Sequence, residues 1–209
     1  MNAWRIARLV AAKDLRIEWH SRVLTNQVLP FAGVTMVIFA FALDSDAVLQ
    51  RVAPGLVWLA TMFSLLVLVQ RTFAVETDDG ALDALRVAGV DPRAIFLGKA
   101  MGLFVQLIVL EIVLLIAAVV LYGQTVPIGG VVLLVTTAIS ATCGLAAVGT
   151  LYGGLAAGFR GRETLLPLLT LPAVAPVLIG ATRAVEAALG TAGAVVSDGW
   201  SWVGLLCVF

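Results

Sequence analysis

The sequence predicts an all-α membrane protein: a polytopic bundle of about six transmembrane helices, preceded by an N-terminal helix at the membrane interface. Of its 209 residues, 61% are hydrophobic and only 12% are charged, and the mean hydropathy is +1.07. A water-soluble domain does not expose that much apolar surface. The apolar residues also form continuous runs of about 18 to 27 residues, long enough to cross about 30 Å of hydrocarbon as helices.

The apolar runs place the membrane spans. We expect five of them at residues 23–43, 52–73, 94–122, 131–156 and 165–182, and a sixth that begins near Trp200. Only ten residues run from Trp200 to Phe209, so we expect the sixth helix to be incomplete at the C-terminus or to stop part-way. The chain therefore divides into an interfacial elbow helix, residues 1–22, and a transmembrane domain, residues 23–209, which includes the charged segment 74–93.

The N-terminal 22 residues are charged but interleaved with apolar side chains, which is typical of a helix lying at the interface. One helical face would carry Ile6, Val10 and Ile17. A second stripe would carry Trp4, Leu15 and Trp19. Two apolar stripes are expected where one side of a helix meets lipid and the other meets protein.

The positive charges fix the orientation. Of the thirteen Lys and Arg residues, only Arg51 and Arg183 fall on one side of the predicted membrane, and the other eleven fall on the opposite side. Because Lys and Arg are enriched in cytoplasmic loops, the N-terminus is expected to be cytoplasmic.

The charged segment between the second and third spans, residues 74–93, is the candidate functional site. Glu76 and Asp79 precede Gly80, which allows a turn, and a short helix then places Leu82 and Leu85 on the same side. Such a helix could transmit force from a soluble partner to the spans, so we interpret these five residues as a coupling site for that partner. The alternative is a solvated loop.

The third span begins with a clear signal and contains an unusual residue. Asp91 is expected to be the N-cap, with Pro92 at the first helical position. Glu111 lies deep in the span, where an ionised carboxylate is costly. Its side chain either forms an interhelical hydrogen bond as a neutral acid or faces a substrate or proton path. Gln106 is a second polar residue in the same span, somewhat off the face of Glu111.

The fifth span contains Pro167, Pro172 and Pro176. Each proline removes a backbone hydrogen bond and crowds the preceding turn, so we expect a bent or locally opened helix. It could line a path or a moving joint, or simply be a bent structural helix.

The fourth span contains two Gly-x-x-x-Gly spacings, Gly149 with Gly153 and Gly154 with Gly158. Such pairs let helix backbones approach closely. We favour packing within the chain over a dedicated dimer face.

Several kinds of chemistry have no support in the sequence. Gly98-Lys99 lacks the glycine spacing and the following Ser or Thr of a phosphate-binding loop, so ATP would have to be bound by another subunit. The single histidine, His20, does not suit a metal cluster or a paired haem site. Cys143 and Cys207 lie in different predicted helices and are interpreted as small buried hydrophobic residues. No catalytic, cofactor-binding or metal residue is therefore assigned, and we do not expect an enzyme.

The layout resembles the membrane subunits of type-2 ABC exporters. The matching residues are Glu76, Gly80, Pro92 and Lys99. More specific are APGLVW at residues 53–58, Arg71-x-Phe73, and RETLLPLL at residues 162–169 followed by Pro172 and PVLIG at residues 176–180. Together these motifs look like the cytochrome c maturation protein B (haem exporter protein B) family, over nearly the whole chain apart from its end.

The resemblance implies a permease subunit in the bacterial inner membrane that works in c-type cytochrome biogenesis. It implies as partners an ABC ATPase subunit that binds ATP, a second copy of the chain, the haem-handling maturation proteins C and D, the periplasmic haem chaperone E, and membrane lipid. Nucleic acid is not expected as a partner. Haem is possible in the assembled complex.

Two roles remain open for such a complex, haem export and ATP-driven release of the haem-loaded chaperone. The lone histidine favours the second, because a path for haem would be expected to offer axial ligands. The alternatives are an exporter permease for another amphipathic or lipid-like substrate, with Glu111 facing the path, and a passive membrane anchor.

Overall fold

The structure, a computed structural model, is predominantly helical over the residues that it describes. It describes residues 3–43, 45–78, 80, 84, 87–159 and 161–209, and of residues 75–78, 162, 163 and 192 it describes the backbone alone. Within these ranges there are seven α-helices and no strand. The predicted all-α membrane bundle is confirmed.

The helices follow one another with short connections. They are α1 Ala3–Ser21, α2 Leu29–Ala42, α3 Asp46–Asp78, α4 Pro92–Tyr122, α5 Val131–Ala156, α6 Arg162–Leu189 and α7 Val196–Val208. A π-helical turn, Leu24–Val28, precedes α2, and 3-10 turns at Ile128–Gly130 and Thr191–Gly193 precede α5 and α7.

Among the described residues, five segments are long and apolar enough to cross a membrane. They are Leu24–Ala42, Asp46–Ala74, Pro92–Tyr122, Ile128–Ala156 and Thr164–Leu189. α7 has 13 residues, which corresponds to a length of about 20 Å, short of the roughly 30 Å of a hydrocarbon core. It begins four residues before Trp200, where the sequence suggested the sixth helix would start.

The second and fifth spans are longer than expected. α3 starts at Asp46, not residue 52, because an acidic residue in the first turn is favourable at the helix N-terminus. α6 continues to Leu189, seven residues beyond the expected end at residue 182. Arg183 Nη1 contacts Glu186 Oε2 at 2.9 Å, so the two charged residues that follow the expected end pair along the helix, which continues past them.

α4 begins and ends where its flanking residues predict. The Asp91 side chain accepts a hydrogen bond from the backbone N–H of Arg93 at 2.9 Å, which confirms the N-cap, and Pro92 is the first helical residue. Gly123 follows the helix with φ +61°, a left-handed conformation that glycine adopts without strain.

α6 contains all three predicted prolines, and its helix assignment runs without interruption from Arg162 to Leu189. Pro167, Pro172 and Pro176 therefore remain inside one helix, and the local opening that the sequence suggested does not break it. The bend remains a prediction.

α1 packs against α4 through its smallest residues. Its buried stripe consists of Ala7, Val10, Ala11 and Asp14. This differs from both predicted stripes, and Trp4 and Trp19 are exposed. Small side chains are selected because the backbones approach closely: a methyl group added at Gly98 of α4 would lie 2.6 Å from the carbonyl oxygen of Ala7.

The centre of the bundle is formed by α3 with α4, α5 and α6 around it. Leu65, Leu107, Leu145 and Val177 are among its fully buried residues. Many large apolar side chains remain exposed on the outside, as expected for surfaces that face lipid. We call the end that carries α1, the segment between α3 and α4, and the turn between α5 and α6 the basic end of the bundle.

The two glycine pairs of α5 behave differently. Gly149 and Gly153 lie against Leu65, Val69 and Phe73 of α3, so this pair packs within the chain. Gly154 is only in ordinary contact distance of Phe73, and nothing lies within 4 Å of a methyl group added at Gly158.

Candidate coupling site and intramembrane cavity

The predicted coupling residues fall mostly outside the described part of the chain. Asp79, Leu82 and Leu85 lie outside it, and Glu76 lies in the last turns of α3 with its side chain undescribed. Gly80 is exposed, has φ +65°, and has no atom within 4 Å of an added methyl group. The left-handed turn expected at this glycine is therefore present, whereas the coupling role remains a prediction.

A buried charged cluster lies where this segment joins the bundle. The Lys99 ammonium group of α4 is 3.4 Å from Asp14 Oδ2 of α1 and 4.8 Å from the ring centroid of Phe73 in α3. Only 2% of the Lys99 side chain and 7% of Asp14 are exposed. We call these three residues the Lys99 cluster.

The Lys99 cluster joins three helices at the basic end. A buried ammonium group needs a counter-charge, and Asp14 supplies it together with the cation–π contact of Phe73. Lys13, which is 41% exposed, contacts the other Asp14 oxygen at 3.1 Å. The end of α3 and the start of α4 are thus linked to each other and to the elbow helix.

Asp14 was not singled out from the sequence, although a signal was present. It continues the spacing of Ala7, Val10 and Ala11, so it lies on the one face of α1 made of small residues. A carboxylate in line with a stripe of small residues indicates a buried partner. Because α1 contains many charged residues, the alignment of Asp14 with these small residues is easily overlooked.

A second carboxylate fixes the junction between α1 and α2. Glu18 Oε1 accepts a hydrogen bond from the backbone N–H of Leu24 at 2.5 Å, across the turn in which Arg22 adopts φ +51°. Gln106 of α4 faces a small recess on this side, shared with Glu18 and Arg71.

Glu111 faces a different part of the bundle. Its Oε1 lies 2.7 Å from the Thr142 hydroxyl of α5, and its Oε2 has no hydrogen-bond partner among the described residues. The sequence named Glu111 and Gln106 together as intramembrane polar residues. The structure does not bring their side chains into one site.

Glu111 lines a cavity of about 320 Å³, which we call the Glu111 cavity. Its walls come from α3, α4, α5 and α6, and Trp58 and Gln124 belong to them. The Gln124 amide donates to the backbone carbonyl of Gln50 at 2.6 Å, which ties the end of α4 to α3 at the far end of the cavity.

Tyr122 makes a similar tie at the same end of the bundle. Its hydroxyl donates to the backbone carbonyl of Met36 at 2.9 Å and so joins α4 to α2. The end away from α1 is therefore held by neutral hydrogen bonds, whereas the basic end is held by the charged Lys99 cluster.

The remaining residues with possible chemistry are dispersed. Among the described residues, no three His, Cys, Asp or Glu side chains gather in a way that could hold a metal ion. His20 is exposed and its Nδ1 lies 2.8 Å from the backbone carbonyl of Arg16. Cys143 and Cys207 are exposed, so their interpretation as buried residues was wrong. A bilayer accepts apolar side chains on the outside, so hydrophobicity alone does not place a cysteine in the interior.

Known proteins resemble this chain over most of its length. The family model for CcmB protein matches residues 5–209. Heme exporter protein B of Rhodobacter capsulatus is 28% identical over 82% of this chain and 78% of its own length. The protein of the same name from Paracoccus denitrificans is 29% identical over 87% of this chain and 82% of its own. Heme exporter protein B of Escherichia coli K12 is 32% identical over 49% of this chain and 45% of its own.

Proposed function

Because the chain belongs to the CcmB protein family, we propose that it is the membrane permease subunit of an ATP-driven ABC complex for c-type cytochrome biogenesis. Relatives that cover most of its length are named heme exporter protein B, which supports this assignment. The five membrane-crossing segments agree with a multi-pass subunit. We place it in the bacterial inner membrane with the basic end in the cytoplasm, because eleven of thirteen Lys and Arg residues belong to that end.

The proposed mechanism rests on the contacts of the Lys99 cluster. The segment between α3 and α4 is the candidate contact for an ABC ATPase subunit, and it is flanked by Phe73 in the last turns of α3 and Lys99 in the first turns of α4. A force on the segment would act on α3 and α4 together and, through Asp14, on α1. The chain would then relay movement without performing a chemical step.

The assembled complex contains, in this proposal, an ATPase subunit that binds ATP and a second copy of this chain. It works with the haem-handling maturation proteins C and D and the periplasmic haem chaperone E. Of its two possible outputs, haem export and ATP-driven release of the loaded chaperone, we favour release. The only histidine, His20, is exposed on α1, and the lining of the Glu111 cavity supplies no axial ligand for haem iron.

The experiment that tests this function alters the coupling segment. Gly80→Pro forces φ close to −65° where the chain has +65°, and Leu82→Asp places a charge on the predicted contact. Both variants should reach the membrane and co-purify with the other subunits, yet lose cytochrome c maturation and the coupling of ATP hydrolysis to it. Gly193→Pro is the matched control, because Gly193 has φ +78° and open surroundings at the other end of the bundle.

Normal maturation in both coupling variants would refute the proposal. A passive anchor predicts in addition that a flexible linker can replace residues 79–91 without effect. Failure of the purified chain to bind any ATPase subunit encoded in the same organism would equally count against an ABC complex.

A second candidate function is export of another amphipathic or lipid-like substrate. The observation that favours it is Glu111, whose unpartnered Oε2 faces an apolar cavity. Transport assays with the purified complex in vesicles discriminate the two: ATP-dependent movement of a lipid-like substrate without haem-handling partners would favour the second function.

A further inference from the structure

The Glu111 cavity lies in the half of the bundle away from α1. Its walls come from the N-terminal half of α3, the C-terminal half of α4, the first turns of α5 and the end of α6. Glu111 lies at one end and Gln124 at the other, and the 11 residues from Glu111 to Tyr122 correspond to about 16 Å of helix. The cavity thus extends from the middle of the bundle toward the end opposite the basic end.

The lining determines which ligands the cavity excludes. Besides Glu111, Gln124 and the indole of Trp58, every described lining residue is Ala, Pro, Val, Ile or Leu. Among them there is no Lys, Arg or His, so a phosphate or carboxylate group would find no cation and would approach the Glu111 carboxyl group. The same lining offers neither a counter-charge for haem propionates nor an axial ligand for the iron.

One atom of the cavity lacks its expected partner. Glu111 Oε2 is buried and has no hydrogen-bond partner among the residues that the structure describes, although buried polar atoms are nearly always paired. Thr142 cannot serve it, because its Oγ1 is already 2.7 Å from Glu111 Oε1 and 2.6 Å from the carbonyl oxygen of Ala138. Its single hydroxyl hydrogen can be donated to only one of these.

The positions of the Thr142 and Glu111 hydrogen atoms determine which kind of hydrogen-bond partner Oε2 needs. The Thr142 hydroxyl hydrogen goes either to Glu111 Oε1 or to the carbonyl oxygen of Ala138; when it goes to Ala138, a neutral Glu111 donates from Oε1 to Thr142 Oγ1. Oε2 is then a carbonyl acceptor. If Glu111 is ionised, Oε2 is an acceptor of greater strength. In both of these states the missing partner is a hydrogen-bond donor; with the proton on Oε2 instead, the missing partner is an acceptor, and a hydroxyl group can serve as either.

We propose that the Glu111 cavity binds a small lipophilic molecule that carries one hydroxyl or ammonium group. The head group donates to Glu111 Oε2, and the apolar body lies along the aliphatic walls toward Gln124. The volume of about 320 Å³ suits this size. It is at the lower end of the roughly 300–1,000 Å³ typical of ligand sites and about twice the 150 Å³ that holds benzene in an apolar cavity.

Trp58 provides the readout, because its indole lines the cavity. The chain has five tryptophans, and replacing Trp4, Trp19, Trp200 and Trp202 by Phe leaves Trp58 as the only indole, which is excited selectively above the tyrosine absorption band. This variant, in phosphatidylcholine vesicles, is titrated with a long-chain alcohol that carries a terminal bromine, with the matching ammonium compound, and with the matching bromoalkane that has no head group. Bromine quenches indole fluorescence on contact.

The alcohol and the ammonium compound should quench Trp58 with half-saturation at about tenfold lower membrane concentration than the bromoalkane, as one added hydrogen bond would give. Glu111→Leu should remove this difference. Glu111→Gln, which keeps an acceptor oxygen and nearly the same shape, should retain most of it for the alcohol. Glu186→Gln is the matched control, since it removes a carboxylate that does not line the cavity.

Equal quenching by all three probes, or an unchanged preference in Glu111→Leu, would overturn the proposal and leave the cavity as a packing gap filled by any lipid chain. A preference for the ammonium compound over the alcohol supports it and identifies an ionised Glu111. The result does not depend on the ATPase or on haem. The proposed function can therefore be refuted while this binding site is confirmed, and the binding site can be refuted while the proposed function is confirmed.

Discussion

Lys99 of α4 and Asp14 of α1 form an ion pair in the interior of the basic end, with 3.4 Å between Nζ and Oδ2. They are 85 residues apart in the sequence, and the helix that carries Asp14 contacts chiefly α4. The ring of Phe73 covers the ammonium group, so the pair also involves α3. This relationship makes the elbow helix part of the bundle and not merely an interfacial attachment.

Lys99→Met should destabilise the protein strongly. It leaves Asp14 buried and deprived of its buried counter-charge, a type of loss that costs about 3–5 kcal/mol. We expect a large decrease in the unfolding temperature of the purified protein in detergent. Lys13→Met is the matched control, because Lys13 is 41% exposed and such pairs contribute about 0–1 kcal/mol.

The double variant Asp14→Asn with Lys99→Met separates charge from packing. Removing both charges avoids a buried carboxylate whose remaining partner is the part-exposed Lys13, so the double variant should be more stable than Lys99→Met alone. If the double variant is the less stable of the two, the pair does not act as the electrostatic unit described above.

Gly98→Ala should displace α1. The added methyl group would lie 2.6 Å from both the Ala7 carbonyl oxygen and Val10 Cβ, and backbone cannot yield as a flexible side chain can. Overpacking of this kind costs about 1–3 kcal/mol, more than the roughly 0.5–1 kcal/mol that alanine gains over glycine within a helix. We expect lower thermal stability and faster proteolysis after α1.

Gly102→Ala is the control for this effect on the same face of α4. Its methyl group would lie 3.4 Å from Asp14 Cβ, where a small adjustment suffices. The variant should therefore retain wild-type stability or exceed it. Equal losses in both variants would mean that the α1–α4 contact is looser than the structure indicates.

The sequence predicted the bundle well where the chain marks its own helix ends. Asp91 and Pro92 mark the start of α4, and the third and fourth spans agree with expectation to within two residues. The fifth span was predicted too short: its expected end at residue 182 lies just before Arg183, and the pairing of Arg183 with Glu186 along the helix is a property of the folded chain. Hydropathy depends on composition alone, so it does not show that two charged side chains pair within a helix.

The site was less predictable than the fold for the same reason. Glu111 was conspicuous as an acid in an apolar span, but Thr142, its partner, is one of several threonines and carries no signal of its own. Gln106 is close to Glu111 in sequence yet faces the recess beside α1. Which polar residues meet depends on helix rotation and crossing, and these are set by packing across the whole bundle.

Gly153→Ala should disturb the contact between α5 and α3. The methyl group would lie 2.5 Å from both Phe73 Cε2 and Val69 Cγ1, so two buried side chains must move. We expect destabilisation by about 1–3 kcal/mol and, because Phe73 belongs to the Lys99 cluster, a reduced yield of folded protein. Gly154→Ala is the neighbouring control, with its nearest contact at an ordinary 3.7 Å. Similar stability of the two variants would show that α3 and α5 can separate at little cost.

Thr142→Val should be more harmful alone than in combination with Glu111→Leu. Valine has nearly the shape of threonine but leaves both carboxyl oxygens of Glu111 without a partner in the described structure, at a cost of about 1–3 kcal/mol. Glu111→Leu removes the buried acid, so the double variant needs no partner at position 142 and should approach wild-type stability. The four proteins form a double-mutant cycle measured by thermal unfolding in detergent. Additive effects would contradict the hydrogen bond, whereas a coupling of more than about 1 kcal/mol supports it, since only groups in contact couple that strongly.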